Sequence, residues 1–436
     1  MTPHPSLSAP KIRPDLIRPV ETMGPYDSCW CRSGKKYKWC HFRREQQKPI
    51  NIFEIEAGMI AEFRDGYCSH PDPAADPCSA TMTKAHTVQK KGGLAAIAEV
   101  GHALTVKPTM KEMIETEGNP QPRKIGANNA SVFPGFCSRH NATLFKPIEG
   151  KSLALTKDTA FLFSYRAIAY ERFAKAAQLR STDIQREADR GHPFWKQAGV
   201  QMHLATAIAG IRIGMRDMDL WKDQFDVRLL SGARDDFHFV AVRFDQVLPI
   251  VACGAFHPEY DFQGKPLQRL GRDGVDFDHI TLTVTAFEAQ TILVFGWVGL
   301  EDGPAKALAE SFVALDDTRK ADALVRLLFI HTDNIFLRPS WWEALPETDR
   351  RTLNEMTRSG TTMRMRTGDE MANEATSLLS ALVVEVVSSG HAFTESHSRW
   401  QQQLLKPRPR LVNVSTGVAK LLVSNAPPIR SKNSLT

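Results

Sequence analysis

Apolar positions set the first division of the chain. Phe161, Tyr165, Ile168, Phe173 and Ala176 recur at helical spacing and predict a long helix over Asp158 to Ser181. A second helix, broadly apolar and so largely buried, is predicted from His192 to Leu220. The pattern then becomes that of strands. Phe237 to Phe244 alternates around β-branched and aromatic residues, as do Val247 to Phe256, Ile280 to Ala286 and Thr291 to Val298. Only Phe287, Glu288, Ala289 and Gln290 separate the last two, a hairpin-length connection, so the sheet is expected to be mainly antiparallel. Helical spacing returns at Gly303 to Leu315, Thr318 to Asn334, Trp342 to Arg358 and Ala375 to Val387. Residues 151–400 therefore read as one α+β domain, with no internal repeat and no glycine-rich phosphate loop.

The N-terminal third follows other rules. Six prolines in the first 25 residues predict an extended leader. A compact cysteine-rich module is expected over 26–48, where Phe42 to Lys48 reads as a short basic helix stopped by Pro49. Residues 51–150 are rich in Gly, Pro, Asn, Cys and His, with one helix predicted over Gly93 to Gly101. That composition gives a thin apolar core and suits a small domain stapled by metal. Residues 401–436 form a basic tail, with no Asp or Glu after residue 405.

Composition narrows the function classes. With 42% apolar and 24% charged residues among 436, the chain has the balance of a globular protein. Its longest apolar stretch, Ile292 to Leu300, is about half of what a membrane-spanning helix requires, and the first residues lack a secretory signal pattern. The expectation is a cytoplasmic protein without a membrane partner, in which clustered cysteines bind metal rather than form disulfides. The net charge is +6, and residues 1–50 alone carry ten Lys or Arg against four Asp or Glu. Basic termini of this kind suit nucleic acid or an acidic protein surface.

Candidate chemistry is concentrated in six of the seven cysteines. The run Cys29-Trp30-Cys31-Arg32-Ser33-Gly34-Lys35-Lys36-Tyr37-Lys38-Trp39-Cys40-His41 offers three thiolates and an imidazole, enough to close a tetrahedral zinc site. Ser33-Gly34 supplies the turn that brings the two ligand pairs together. The run resembles the SEC-C motif, Cys-x-Cys-x-Ser-Gly-Lys-Lys-Tyr-Lys-x-Cys-His/Cys, a small zinc module that docks partners. On that resemblance Cys29, Cys31, Cys40 and His41 hold a structural Zn2+, and the exposed aromatics Trp30, Tyr37 and Trp39 grip a partner.

A second, looser set comprises Cys68, His70, Cys78, His86, Cys137 and His140. Cys137-x2-His140 has the spacing of a zinc knuckle opening a helix, and Cys68 with Cys78 can complete a second Zn2+ site. His86 is an alternative ligand in place of His140. Cys253, left over in a predicted strand, is expected to be a small core residue. The order of these elements over residues 62–146 resembles the HNH, or His-Me finger, nucleases, built on a treble-clef zinc fold. The resemblance implies that His86 is the general base, that Asn129 or its neighbour Asn128 orients the base loop, and that Asn141 helps to hold a catalytic Mg2+ or Mn2+. Ala85 departs from the pattern, standing where the family often carries an Asp or His. The expected fold is thus α+β: a small zinc module, a zinc-stapled treble-clef-like domain and a larger domain with a mainly antiparallel sheet. The expected function is that of a zinc protein directed at nucleic acid, as an HNH-like endonuclease in bacterial host defence or as a non-enzymatic adaptor.

Overall fold

The computed structural model describes residues 23–150, 153–269, 277–299, 302–359, 367–372 and 377–389. Its strands are β1 (Met82–His86), β2 (His102–Thr105), β3 (Arg123–Gly126), β4 (Val132–Cys137), β5 (Phe237–Phe244), β6 (Ile250–Phe256), β7 (Ile280–Phe287), β8 (Gln290–Val298), β9 (Ile335–Leu337) and β10 (Val383–Ser388). The helices are α1 (Ile52–Arg64), α2 (Ala95–Ile97), α3 (Met110–Glu115), α4 (Ser138–Phe145), α5 (Lys157–Gln185), α6 (Phe194–Ser231), α7 (Pro304–Val313), α8 (Asp317–His331), α9 (Pro339–Ala344), α10 (Glu347–Ser359) and α11 (Gly368–Ala372).

Eight of the strands form one sheet in the order β10-β5-β8-β7-β6-β9-β2-β3, antiparallel at every pairing. The β7–β8 hairpin closes through Glu288 and Ala289, both at positive φ (49° and 63°), the conformation that matches the twist of the flanking strands. Phe237, Phe239, Ala241, Ile292 and Val294 point to one face of the sheet, where they pack on Phe161, Tyr165 and Ile168 of α5. Val240, Val242, Leu282, Val284, Leu293 and Phe295 point to the other, against Leu308 and Phe312 of α7 and Leu324 and Leu328 of α8. Helices cover both faces, which is why β5 to β8 are almost continuously buried, down to the alternate threonines of β7.

Helix α5 starts at a reciprocal cap in which the Thr156 hydroxyl accepts from the Thr159 amide. Its partner α6 runs 38 residues and ends at Gly232, in the left-handed region at φ 75°. One side of α6, with Gln201, Leu204, Ile208, Ile211, Met218 and Phe225, is buried. The opposite side exposes Met202, Ile213, Leu220, Val227 and Leu230. No helix among the described residues is long and apolar enough to cross a membrane.

Several sequence expectations need correction. The helix expected over Gly93 to Gly101 is a wide turn at Lys90–Leu94 and the single turn of α2. It stops because Val100 and Gly101 take positive φ and turn the chain into β2. The helix expected over Ala375 to Val387 is, where described, irregular chain to Leu382 and then the strand β10, whose valines pair with the open edge of β5. The segment Trp342 to Arg358 is two helices, divided at Leu345 and Pro346. Thr318 to Asn334 ends as a helix at His331 and passes into β9. Strands β2 and β3, from residues 51–150, join the main sheet, so residue 150 is not a boundary of that sheet. The leader up to residue 22 and the basic tail lie outside the described residues.

Candidate metal centres

The first cluster is built by a tight loop and a short helical turn. Gly34, at φ 79°, reverses the chain, the Cys29 amide donates to the Lys35 carbonyl at 2.9 Å, and the Cys40 amide donates to the Tyr37 carbonyl at 3.0 Å. These bonds gather Cys29, Cys31, Cys40 and His41 so that their ligand atoms all lie within 4.8 Å of one another. His41 Nδ1 is 3.2 Å from the Cys29 sulfur and 3.1 Å from that of Cys40, and Cys31 Sγ is 3.4 Å from Cys40 Sγ. The Ser33 hydroxyl sits within 3.3 Å of the Cys31 and Cys40 sulfurs. Contacts among the three sulfurs push the Cys29 thiol up and hold that of Cys31 down. With all three sulfurs ionised, a cation among them would share the charge.

The other nitrogen of His41 faces the protein. Nε2 lies 2.8 Å from Asp189 Oδ2, and the same buried carboxylate accepts from Gln201 Nε2 at 2.7 Å and from Arg44 Nε. Arg44 also donates to the Arg186 carbonyl at 3.0 Å, and Arg186 donates to the Cys31 carbonyl at 3.3 Å. Trp30 packs on the His41 ring at 4.4 Å and meets Phe194 edge-on at 5.1 Å. The module is thereby joined to the start of α6 rather than hung from it. Tyr37 is buried and Trp30 half-buried, so of the three aromatics expected at its surface only Trp39 is exposed.

The second cluster draws on three places in the fold. Gly66 follows α1 so close to β4 that a Cβ there would meet the Pro134 carbonyl at 2.3 Å, and the Ser69 amide donates to the Gly135 carbonyl at 2.8 Å. Cys68 is thus pinned beside β4. Strand β1 pairs with β4, Met82 opposite Cys137, which brings the Cys78 loop to the same end. Cys137 then caps α4, its sulfur accepting from the His140 amide. Burial opposes ionisation of this thiol, but that amide and Ser79 bring it down to about 6. His140 Nδ1 is 3.2 Å from the sulfurs of Cys68 and Cys137 and 3.7 Å from that of Cys78.

His140 resembles His41 in having a carboxylate on its far side, although Asp76 is partly exposed and its contact with Nε2 lacks hydrogen-bond geometry. Its Nε2 is 3.2 Å from Asp76 Oδ2, and Arg139 pairs with the other oxygen of that carboxylate. His70 stacks on the His140 ring at 3.9 Å, with the planes 9° apart. His70, Asp76 and His140 are themselves close enough to hold an ion, but they meet at the Nε2 side of the ring whose Nδ1 faces the sulfurs. They form the outer layer of the second centre. His140, and not His86, completes the cysteine set.

His86 lies at the far end of β1, opposite Val132, four residues along the strand from the Met82–Cys137 pair and so roughly 13 Å from it. Its Nε2 is buried without a hydrogen-bond partner. Burial, then Lys90 and Arg166, hold the imidazole below its ordinary range. Arg166 is fully buried over the Phe145 ring, 4.2 Å from its centre, and donates to Glu149 at 2.7 Å. A cleft of about 450 Å3 opens nearby, lined by Gln89, Gly92, Glu149, Gly150, Glu288 and Ala289 among others. Asn141 is half-buried in the first turn of α4, and Asn129 is exposed in the turn before β4. The segment after His86 is held by other residues. The Ser131 hydroxyl accepts from the Val88 amide at 2.7 Å, and Asn334 donates to the Thr87 hydroxyl at 2.8 Å.

No family model, curated protein or solved structure matches the chain. The assignment of chemistry therefore rests on the donor sets. Two Cys3His groups can each hold a metal ion. The carboxylates behind them, Asp189 and Asp76, had no motif to announce them. Asp189 is 148 residues from His41, although the position of Asp76 between Cys68 and Cys78 was a signal that an acid stood inside the ligand loop. Cys253 is buried among Val88, Ile97, Ala167 and Phe336, with burial pushing its thiol up to about 12, in keeping with a core residue.

Proposed function

We propose that the chain is a zinc protein directed at nucleic acid, with both Cys3His centres structural. The observation that carries the zinc assignment is the arrangement common to His41 and His140: sulfurs in front of Nδ1, a carboxylate behind Nε2. Soft thiolates favour Zn2+ over hard cations, four protein ligands leave no open position, and a carboxylate behind the ring fixes the ligating tautomer. Clustered thiols acting as ligands also suit a reducing, cytoplasmic setting. Elemental analysis of the purified protein is expected to give about two zinc per chain. A value near one removes the second centre, and a value near zero removes both.

Support for nucleic acid comes from the surface of the first module. Tyr26 and Trp39 are exposed and meet edge-on at 6.1 Å, with the Lys36 and Lys38 ammonium groups 5.5 and 5.4 Å from the centre of the Tyr26 ring. Aromatic faces bordered by cations can stack a base and meet its phosphate. The same surface favours the adaptor reading, with an acidic protein segment in place of a strand. Anisotropy titrations with labelled single-stranded RNA, single-stranded DNA and an acidic peptide separate the two. Nucleic-acid binding that weakens steeply with salt and is lost in Trp39→Ala supports the first reading. Binding of the peptide alone supports the second.

Catalysis of phosphodiester hydrolysis is the further part of the proposal, with His86 as base. Its support is the order β1, β4, α4 and an imidazole held in its neutral form. The residue that the resemblance offers to a Mg2+ or Mn2+, Asn141, is a neutral amide, Asn129 is assigned only to orienting the base loop, and Ala85 carries no ligand. Hard divalent cations favour carboxylates, so these residues do not fit such an ion and no step is drawn through one. Incubation of plasmid and single-stranded RNA with wild type and His86→Ala, with Mg2+ or Mn2+ present, tests the role. Cleavage that the variant loses supports it; no cleavage, or equal cleavage, removes it.

A further inference from the structure

Helix α6 carries two seams. The inward one runs Gln197, Gln201, Leu204, Ile208, Ile211, Met215, Met218, Lys222 and Phe225, all buried but the half-buried Met215 and spaced alternately by four and three residues. Moving each position five residues on gives Met202, Thr206, Ala209, Ile213, Arg216, Leu220, Asp223, Val227 and Leu230. All nine are exposed. Five residues correspond to about 140° around a helix, so the second seam lies well away from the first. Its five large apolar members are between 47% and 65% exposed. The alternation of four and three is the heptad spacing that keeps a stripe facing a second helix, here sustained over roughly 42 Å. One seam is used by the body of the protein, on α5. Nothing among the described residues covers the other.

We propose that the outer seam binds a second copy of this chain, α6 against α6 and antiparallel. The polar positions of the seam select both the partner and the direction. Arg216 and Asp223 are one heptad apart and opposite in charge. In a parallel pair each would face its own copy, setting like charges level in an apolar seam. In an antiparallel pair centred near Met218, Arg216 falls within a turn of the partner's Asp223, and the two-fold axis repeats the contact. Ile213, Leu220 and Val227 then fill the layers around these two contacts. Within its own chain Arg216 touches the Asp217 carboxylate at 3.2 Å while remaining largely exposed, so its guanidinium can still reach across. A single sequence thus supplies both halves of the charge complement, and a continuous exposed heptad stripe is otherwise a liability for a lone chain.

The test is the mass of the full-length, zinc-loaded protein by light scattering with size exclusion. Wild type is expected at twice the chain mass of 48.7 kDa. Ile213→Glu with Leu220→Glu, at exposed positions, is expected at the single-chain mass with unchanged circular dichroism and zinc content. Arg216→Asp alone and Asp223→Arg alone should each weaken dimerisation at least tenfold, and the double exchange should restore it. A single-chain mass for wild type at tens of micromolar overturns the proposal, whether the seam is bare or covered by residues 390–436. Dimers that survive the double glutamate variant, or a charge exchange that fails to restore pairing, overturn it as well.

Discussion

His41 and Asp189 are 148 residues apart in sequence, and His41 Nε2 lies 2.8 Å from Asp189 Oδ2. That one carboxylate orients the imidazole of the first Cys3His group, pairs with the buried Arg44 and holds Gln201. Asp189→Asn is expected to weaken metal retention at the first centre about 10- to 100-fold, with the second unchanged. Competition with a chromogenic chelator, resolved into two release phases, reads it. Asp189→Ala also takes from Arg44 its buried carboxylate, leaving it the partly exposed Glu187 at 3.4 Å and the Arg186 carbonyl, and should cost about 3 kcal/mol in denaturant melts.

Cys137 both belongs to the second Cys3His group and caps α4. Cys137→Ser keeps a capping oxygen but removes a soft ligand, so zinc per chain should fall from about two to about one while α4 persists. Unchanged zinc content would show that the sulfur is not a ligand.

Gly66 lies against Pro134, where an added methyl has no room. Gly66→Ala should cost about 1–3 kcal/mol and loosen the second centre by moving Cys68 away from β4. Faster zinc release from that centre alone, together with a lower melting temperature, is the expected pair of results.

Glu171 is raised from its ordinary 4.5 to about 7, first by burial and then by Asp333, against the opposing pull of Lys175, Lys107 and the Ala255 amide. The folded state therefore holds a proton that the unfolded chain has released between these values. Stability attributable to this group falls as pH rises from about 4.5 to 7, and the penalty is constant above that. Glu171→Gln should stabilise the protein at pH 8 by on the order of 1–3 kcal/mol and have little effect at pH 4.5. Urea melts at the two pH values decide it.

The parts legible in the sequence were those with a local signature. Helix α5 and strands β5 to β8 announce themselves because burial on one or both faces fixes their periodicity. The Cys29 to His41 run is equally plain, since all four ligands and the Gly34 turn are near neighbours. The misreading of β10 has a physical cause. Val383, Val384, Val386 and Val387 carry the β-branched signal, but Ala375 to Leu382 imposes a helical rhythm, and the pairing with β5 that decides the matter is remote. Strands β2 and β3 are four residues each and gain their place from distant partners. The same holds for Asp189 and Asp76, whose roles arise only once the chain has folded.

The route of the chain between β1 and β4 has a kinetic consequence. After His86 the backbone leaves the two-stranded sheet, adds β2 and β3 to the edge of the main sheet, and returns through β4 to deliver Cys137. The ligands of the second centre therefore close a much longer loop than those of the first, and such non-local closure is slower. Refolding in the presence of cobalt should show the thiolate-to-metal absorption of the first centre early and that of the second only as the sheet signal matures. In that order an ion in the second centre would be a latch that closes on a finished fold, not the seed around which the fold grows.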